Sequence, residues 1–145
     1  MYKIKETNNY LSLSTLFHNS GMEVEIEETT PAENLKMWSC EDTETGRLLG
    51  GCVLQYKSDC FVLEDLAVVE DQRCAGIGQK LMQIALDEAV SRGATEIWGC
   101  AKVPAYYLSK GWHEMDRATS PQISHCQSCE QFNSTCFPCI IRKEL

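Results

Sequence analysis

The pattern of apolar and polar positions along this 145-residue chain predicts short strands interrupted by helices. The most regular stretch is Gly78 to Arg92, where apolar residues recur at helical intervals and Gly93 supplies a stop signal. Runs that are apolar or alternating predict strands. The predicted strands are Met1 to Glu6, Leu35 to Cys40, Leu48 to Tyr56, Cys60 to Val69, Thr95 to Cys100, Trp112 to Met115 and Phe137 to Arg142.

Capping signals predict the remaining helices. Asn8 or Asn9 caps a helix through Leu11 to Phe17, and Pro104 begins a short helix that Gly111 stops. The segment Thr30 to Glu33 predicts a short helical turn, because proline is favoured at the first helical position. Because a strand, the long helix and another strand follow one another, a parallel, right-handed crossover is expected. With no repeat or linker, residues 1–145 form one predicted domain.

Composition and charge narrow the function classes. The chain is 43% hydrophobic and 23% charged, as is usual for a globular protein. Its net charge of −8 argues against nucleic acid as a partner, because phosphate contacts require a basic face. The N-terminus lacks an apolar signal segment and no run of 18 apolar residues occurs, so neither export nor a membrane span is expected. The expected compartment is the cytoplasm.

The stretch from Leu63 to Met82 carries the most specific chemistry. A strand leads through Gln72-Arg-Cys-Ala-Gly-Ile-Gly78 into the long helix, which places backbone N–H groups at the positive end of a helix dipole. An ordinary strand-to-helix turn is the alternative interpretation. A Walker A motif is absent, and the Rossmann fingerprint fails because Leu81 stands where its third glycine is needed.

Two motifs at the expected separation give the chain its resemblance to a known family. Arg73-Cys74-Ala75-Gly76-Ile77-Gly78 matches the pattern Gln/Arg-x-x-Gly-x-Gly/Ala, and Tyr106-Tyr107-Leu-Ser-Lys-Gly111-Trp112 matches a downstream Tyr-x-x-x-Gly-Phe/Trp helix. With these motifs and its order of elements, the chain resembles the GCN5-related N-acetyltransferases. The resemblance implies an α/β fold of the α+β type. Its mixed, mostly antiparallel sheet would contain a parallel, splayed strand pair and carry helices on both faces.

The resemblance also implies an acetyl-CoA site. Its pyrophosphate would be held by Arg73, Cys74, Ala75, Gly76, Ile77 and Gly78. The pantetheine arm would bond, like an extra strand, to the exposed edge formed by Leu66, Ala67 and Val68. Many family members carry an asparagine that contacts the cofactor seven residues before the tyrosine. Here that position is Cys100, so this contact is not expected.

Acetyl transfer needs a deprotonated amine and a proton for the leaving thiolate. Tyr107 occupies the family's tyrosine position and is the predicted general acid, the alternative being a core tyrosine; Tyr106 is expected to pack. Glu64 and Asp65 are the base candidates. Adjacent residues of a strand point to opposite faces, so one acid either faces the acceptor cleft or lies in the core, unless it is solvated near the strand start.

Nine cysteines are many for a chain expected in a reducing compartment. Cys126, Cys129, Cys136 and Cys139 form two C-x-x-C pairs that could bind zinc within a Cys-rich loop at about residues 116–139. Disulfide or redox switching and plain reduced thiols are the alternatives.

The predicted function is therefore acetyl-CoA-dependent transfer of an acetyl group to a primary amine of a small molecule or peptide, by direct attack on the thioester. The alternative is a non-catalytic acyl-CoA-binding module whose Cys-rich loop senses metal or redox state. An amine acceptor is the expected partner, and a homodimer is one predicted assembly.

Overall fold

The computed structural model describes residues 1–22, 24–73, 75–101, 104–123 and 139–145. Within these residues the chain forms seven strands and three α-helices. The strands are β1 Tyr2–Glu6, β2 Asn34–Asp42, β3 Leu48–Lys57, β4 Cys60–Val68, β5 Glu96–Ala101, β6 His113–Met115 and β7 Cys139–Glu144. The helices are α1 Tyr10–Asn19, α2 Ile77–Ser91 and α3 Pro104–Leu108.

The strands follow the hydrogen-bonded order β1-β2-β3-β4-β5-β7-β6. The pairs β1–β2, β2–β3, β5–β7 and β6–β7 are antiparallel, whereas β4 and β5 are parallel at Val62 and Trp98. The parallel pair joins the two strands on either side of α2 in sequence, as the predicted crossover requires. The predicted fold class, a mixed and mostly antiparallel sheet with one parallel pair, is confirmed.

The chain divides into two compact units, of which the first contains Met1–Gln55 and Leu63–Glu88. Here the two glycines of β3 let helices approach its opposite faces. A β-carbon on Gly51 would overlap Leu13 of α1, and one on Gly50 would lie 3.3 Å from Leu81 of α2. On the α1 side, apolar side chains form a buried cluster that includes Tyr10, Leu13, Phe17, Met37 and Val53.

The second unit contains Tyr56–Val62 and Ala89–Leu145. Its core is a cluster of Val62, Trp98, Ile123 and Ile140. The predicted closing hairpin is confirmed, because β6 pairs with β7 from His113↔Arg142 to Met115↔Ile140.

One predicted element is wrong. Residues 24–33 contain no helix, and the expected helical turn is a single tight turn in which the Asn34 N–H donates to the Pro31 carbonyl over 3.1 Å. β2 begins at once at Asn34, so no residues remain over which the turn could continue as a helix. Earlier in the segment, the Ser14 hydroxyl of α1 accepts from the Glu27 N–H and donates to the Glu27 carbonyl.

One of the two predicted caps of α1 is confirmed. The Asn9 side chain accepts a hydrogen bond from the Ser12 N–H, so Asn9 rather than Asn8 is the cap. None of the helices in the described ranges has the length and apolar character needed to cross a membrane.

Candidate active site

The connection from β4 to α2 forms the candidate donor site in the first unit. After Val68 the chain makes a single 3-10 turn at Glu70–Gln72, and α2 begins at Ile77. Of the predicted pyrophosphate-binding residues, Arg73, Ala75, Gly76, Ile77 and Gly78 are described here, and Cys74 lies outside the described residues. Ala75 and Gly76 are exposed, whereas the Ile77 side chain is buried and anchors the helix start.

Gly76 sets the backbone geometry of this connection. Its φ of +81° lies in the left-handed region, and a β-carbon built on it would meet no atom within 4 Å. The Gly76 carbonyl accepts from the Lys80 N–H, so Gly76 stands at the start of the hydrogen-bond ladder of α2, where the first N–H groups of a helix have no acceptor from a preceding turn. No acidic side chain lies in that turn. Backbone donors and the dipole therefore favour an anion here.

Arg73 is held against the end of β4. Its Nε donates to the Val68 carbonyl over 3.1 Å, which uses one of the guanidinium donors and places the charge beside the loop. The same bond engages the Val68 carbonyl, one of the edge groups predicted to bond to pantetheine. Leu66, Ala67 and Val68 are each half-buried, so the predicted edge is only partly open to a ligand.

An ion pair fixes the 3-10 turn before the loop. Arg47, in the turn between β2 and β3, donates two hydrogen bonds to Asp71, at 2.8 and 2.9 Å. This bond, together with the positive charge of Arg47, holds the pKa of the Asp71 carboxyl below its usual range. The chain entering the loop is therefore tied to the neighbouring hairpin.

A cleft of about 720 Å³ lies beside Arg73. Polar residues of α1 form one wall, and the end of β4 with the 3-10 turn forms the other. The lining residues are Ser12, Thr15, Leu16, Asn19, Ser20, Leu48, Val69, Glu70 and Arg73. Sequence reasoning missed this cleft, because no local motif marks the α1 residues.

The two candidate bases differ in environment. Asp65 is only 8% exposed, so the alternative that it is solvated near the strand start is wrong, whereas Glu64 is half-buried. Asp65 lies two positions before Ala67, which packs against the α1 cluster, so alternation places Asp65 on the α1 face. Burial, and then the charges of Asp65, Glu27 and Glu64, raises the pKa of Tyr10 to about 12. Sequence reasoning had not singled out Tyr10.

Tyr107 belongs to the second unit. It is half-buried in α3, and its ring makes edge-to-face contacts with Tyr106 and Trp112, at centroid distances of 5.4 and 5.6 Å. Trp112 is buried, whereas Tyr106 is 38% exposed with the Lys110 ammonium over its ring. The prediction that Tyr106 is the packing residue is therefore wrong, since Tyr107 is the more buried of the two and contacts the core tryptophan.

Three of the four cysteines predicted to bind zinc, Cys126, Cys129 and Cys136, lie outside the described residues. Cys139 begins β7, where burial, reinforced by Glu114, raises the pKa of its thiol. Within the described ranges no group of three or more His, Cys, Asp or Glu side chains could hold a metal ion. Zinc binding by the four cysteines has no support in this part of the chain and stays a prediction. Cys100 is half-buried on β5 beside Ile140.

Comparison with known proteins identifies the family. The sequence matches the model of the acetyltransferase (GNAT) family over residues 7–108, which spans the loop, α2 and the first residues of the tyrosine motif. The chain belongs to the GNAT acetyltransferase family. It is thus an N-acetyltransferase. No curated protein sequence matches the chain.

Solved structures share the fold at low sequence identity. N-acetylglutamate synthase from Neisseria gonorrhoeae, complexed with coenzyme A and N-acetyl-glutamate, has a TM-score of 0.70 at 17% identity. The match covers 100% of this chain but 35% of that protein, so this chain spans about a third of its length. A GNAT acetyltransferase from Staphylococcus aureus gives 0.72 at 14% identity, covering 100% and 99% of the two chains. The NatC complex bound to Gag peptide and coenzyme A gives 0.69 at 16%, covering 99% and 98%.

Proposed function

We propose that this GNAT acetyltransferase moves the acetyl group of acetyl-CoA to a primary amine of a small molecule or peptide, by direct attack of the amine on the thioester. The observation that carries the proposal is the loop before α2, where left-handed Gly76 opens onto solvent and the first turn of α2 lacks acidic side chains. The loop also coincides with the family's phosphate-binding motif.

The donor site is assigned to the predicted residues of the first unit. The backbone N–H groups from Cys74 to Gly78 would hold the pyrophosphate, with the Arg73 guanidinium beside them. Leu66, Ala67 and Val68 would bond to the pantetheine arm. The Val68 carbonyl also accepts one hydrogen bond from Arg73. When bound, acetyl-CoA supplies the thioester that the amine attacks.

The proton transfers are assigned to one tyrosine and one carboxylate. Tyr107 donates a proton to the leaving sulfur, because tyrosine is a residue type that can act as a general acid towards a thiolate. Asp65 is the preferred base over Glu64. Its buried position on the α1 face keeps a carboxylate away from bulk water, where it can take a proton from the amine.

The acceptor is assigned as an amine because the family transfers acetyl groups to nitrogen. Fold neighbours include proteins complexed with N-acetyl-glutamate and with a peptide, so the fold accommodates both small and peptidic acceptors in those proteins. The proposal for this chain includes both small-molecule amines and peptide amines as acceptors.

Thiol release from acetyl-CoA, measured with a panel of amines, tests the proposal. We expect release that requires both the protein and an amine, and a fall in kcat of roughly a hundredfold or more for Tyr107→Phe. Tyr106→Phe is the matched control, because Tyr106 is adjacent and more exposed, and we expect this variant to retain activity. Binding of acetyl-CoA without turnover on any amine would support the non-catalytic module instead.

A further inference from the structure

A buried amide on the α1 face of the first unit has an oxygen that lacks a partner. Gln55 is only 5% exposed, and its Oε1 is buried without a hydrogen-bond partner. Buried polar atoms are almost always hydrogen-bonded, so each exception requires an explanation. Gln55 lies two positions after Val53, which is part of the α1 cluster, so its side chain lies on the same face as that cluster.

The neighbours of Gln55 set the direction of its amide. Asn34 Nδ2 donates to the Met37 sulfur over 3.3 Å, and a thioether can only accept. Asn34 therefore presents its oxygen to Gln55, whose Nε2 donates over 2.6 Å. The nitrogen of the Gln55 amide is thus used, and its oxygen is left as an acceptor that requires an N–H or O–H donor.

The same face carries negative charge. Asp65 lies on it at 8% exposure, and the charges of Asp65 and Glu27 act on the Tyr10 phenol. Tyr10 belongs to the buried cluster of this face, which also contains Val53. An unpartnered acceptor oxygen on a face that carries carboxylates is complementary to a ligand that has both positive charge and N–H donors.

We propose that Gln55 Oε1 and the carboxylates of this face bind the acceptor as a cationic amine that has no carboxylate next to its amino-bearing carbon. This inference rests on the proposed function and names the acceptor class for the same reaction. Gln55 accepts an N–H of the ammonium group and so orients it, while Asp65 and Glu27 attract its charge. An amino acid is disfavoured, because its own carboxylate would face like charges.

Two acceptors that differ only in a carboxylate test the charge selection. Cadaverine is lysine without its carboxylate, so thiol release with each of them isolates that group. We expect kcat/KM for cadaverine to exceed that for lysine by roughly tenfold or more, since a tenfold ratio requires only a modest electrostatic difference. Glu27→Gln should lower the ratio of kcat/KM for cadaverine to kcat/KM for lysine, because it removes an exposed negative charge from the α1 face.

Variants of Gln55 test the hydrogen bond. Gln55→Met keeps the size but removes the oxygen, and we expect the KM for cadaverine to rise roughly ten- to hundredfold while the KM for acetyl-CoA stays the same. Gln55→Glu keeps an oxygen acceptor and should retain most of the affinity. Ser39→Ala is the matched control, because the Ser39 hydroxyl is also buried and without a partner. Ser39 differs from Gln55 in position, since it pairs with Gly51, beneath α1.

The outcomes separate this inference from the proposed function. Acetylation of cadaverine with the expected preference and the Gln55 dependence supports both. Acetylation in which lysine is used as well as cadaverine, or in which Gln55→Met leaves the amine KM unchanged, refutes the inference and leaves the proposed function standing. The comparison of cadaverine with lysine needs no variant, so a Gln55→Met protein that fails to fold does not remove the test. If no amine is acetylated, both fail.

Discussion

Substituting Gly76 by alanine isolates the backbone conformation of the donor loop from every other property of the site. The φ of +81° is strained for any residue with a β-carbon, yet that β-carbon would meet no atom within 4 Å. The change therefore adds backbone strain and no steric clash. For a residue other than glycine, the left-handed conformation costs about 1–2 kcal/mol.

The strain can be relieved only if the loop leaves its present conformation. That movement would turn the N–H groups at the start of α2 away from the anion they are proposed to bind. If the whole cost falls on the donor-bound state, the KM for acetyl-CoA rises about five- to thirtyfold. The expected kcat is close to that of the wild-type protein, because no proposed proton donor or acceptor is altered.

Gly93→Ala is the control for this substitution. Gly93 follows the other end of α2 with a φ of +93° and equally open space, so the strain is similar and lies away from the loop. Steady-state kinetics with acetyl-CoA varied at a saturating amine concentration, together with urea denaturation, measures both effects. We expect Gly93→Ala to lose stability with an unchanged KM for acetyl-CoA, and Gly76→Ala to raise that KM. Equal KM values for the two variants would refute the role given to the loop.

Three further substitutions test the surroundings of the loop. Gly50→Ala puts a methyl group 3.0 Å from the Ala67 carbonyl oxygen, so urea denaturation should show a loss of about 1–3 kcal/mol, and an unchanged midpoint would contradict the packing. Arg47→Met removes both hydrogen bonds to Asp71, so the KM for acetyl-CoA should rise modestly. The difference in KM between variant and wild type should shrink in high salt, and a difference in KM that does not depend on salt would argue against the ion pair. Tyr10→Phe should flatten the alkaline loss of stability. The pKa of Tyr10 is raised from 10.0 to about 12, so the unfolded chain releases the Tyr10 proton first and the stability of the wild-type protein falls as pH rises from 10 to 12. Identical profiles of stability against pH for the two proteins would contradict the raised pKa of Tyr10.

Local patterns in the sequence were sufficient for the elements that depend on local interactions. The amphipathic repeat after Gly78 predicted α2, and the apolar run from Cys60 predicted β4 to within a residue. The length of the turn after Pro31 could not be predicted, because local capping preference favours a helix there, whereas β2 begins at Asn34 and pairs with β3. Pairing across the sheet overrode the local preference.

The candidate site divides in the same way. Gly76 could be assigned because its conformation is required within one loop and the motif is contiguous. The role proposed for Gln55 and the environment of Tyr10 could not be predicted, because both depend on contacts between elements that are distant in sequence. The antiparallel register places Gln55 opposite Asn34, and α1 brings Tyr10 to the face that carries Asp65. No spacing in the sequence contains that register.

The most direct test of the central claim is to identify the products of a reaction containing the protein, acetyl-CoA and cadaverine by mass spectrometry. The account predicts N-acetylcadaverine and free coenzyme A in equal amounts, with neither formed when the protein is omitted. Release of coenzyme A without an acetylated amine would contradict acetyl transfer to an amine, and no reaction with cadaverine while acetyl-CoA binds would contradict the acceptor class proposed for it.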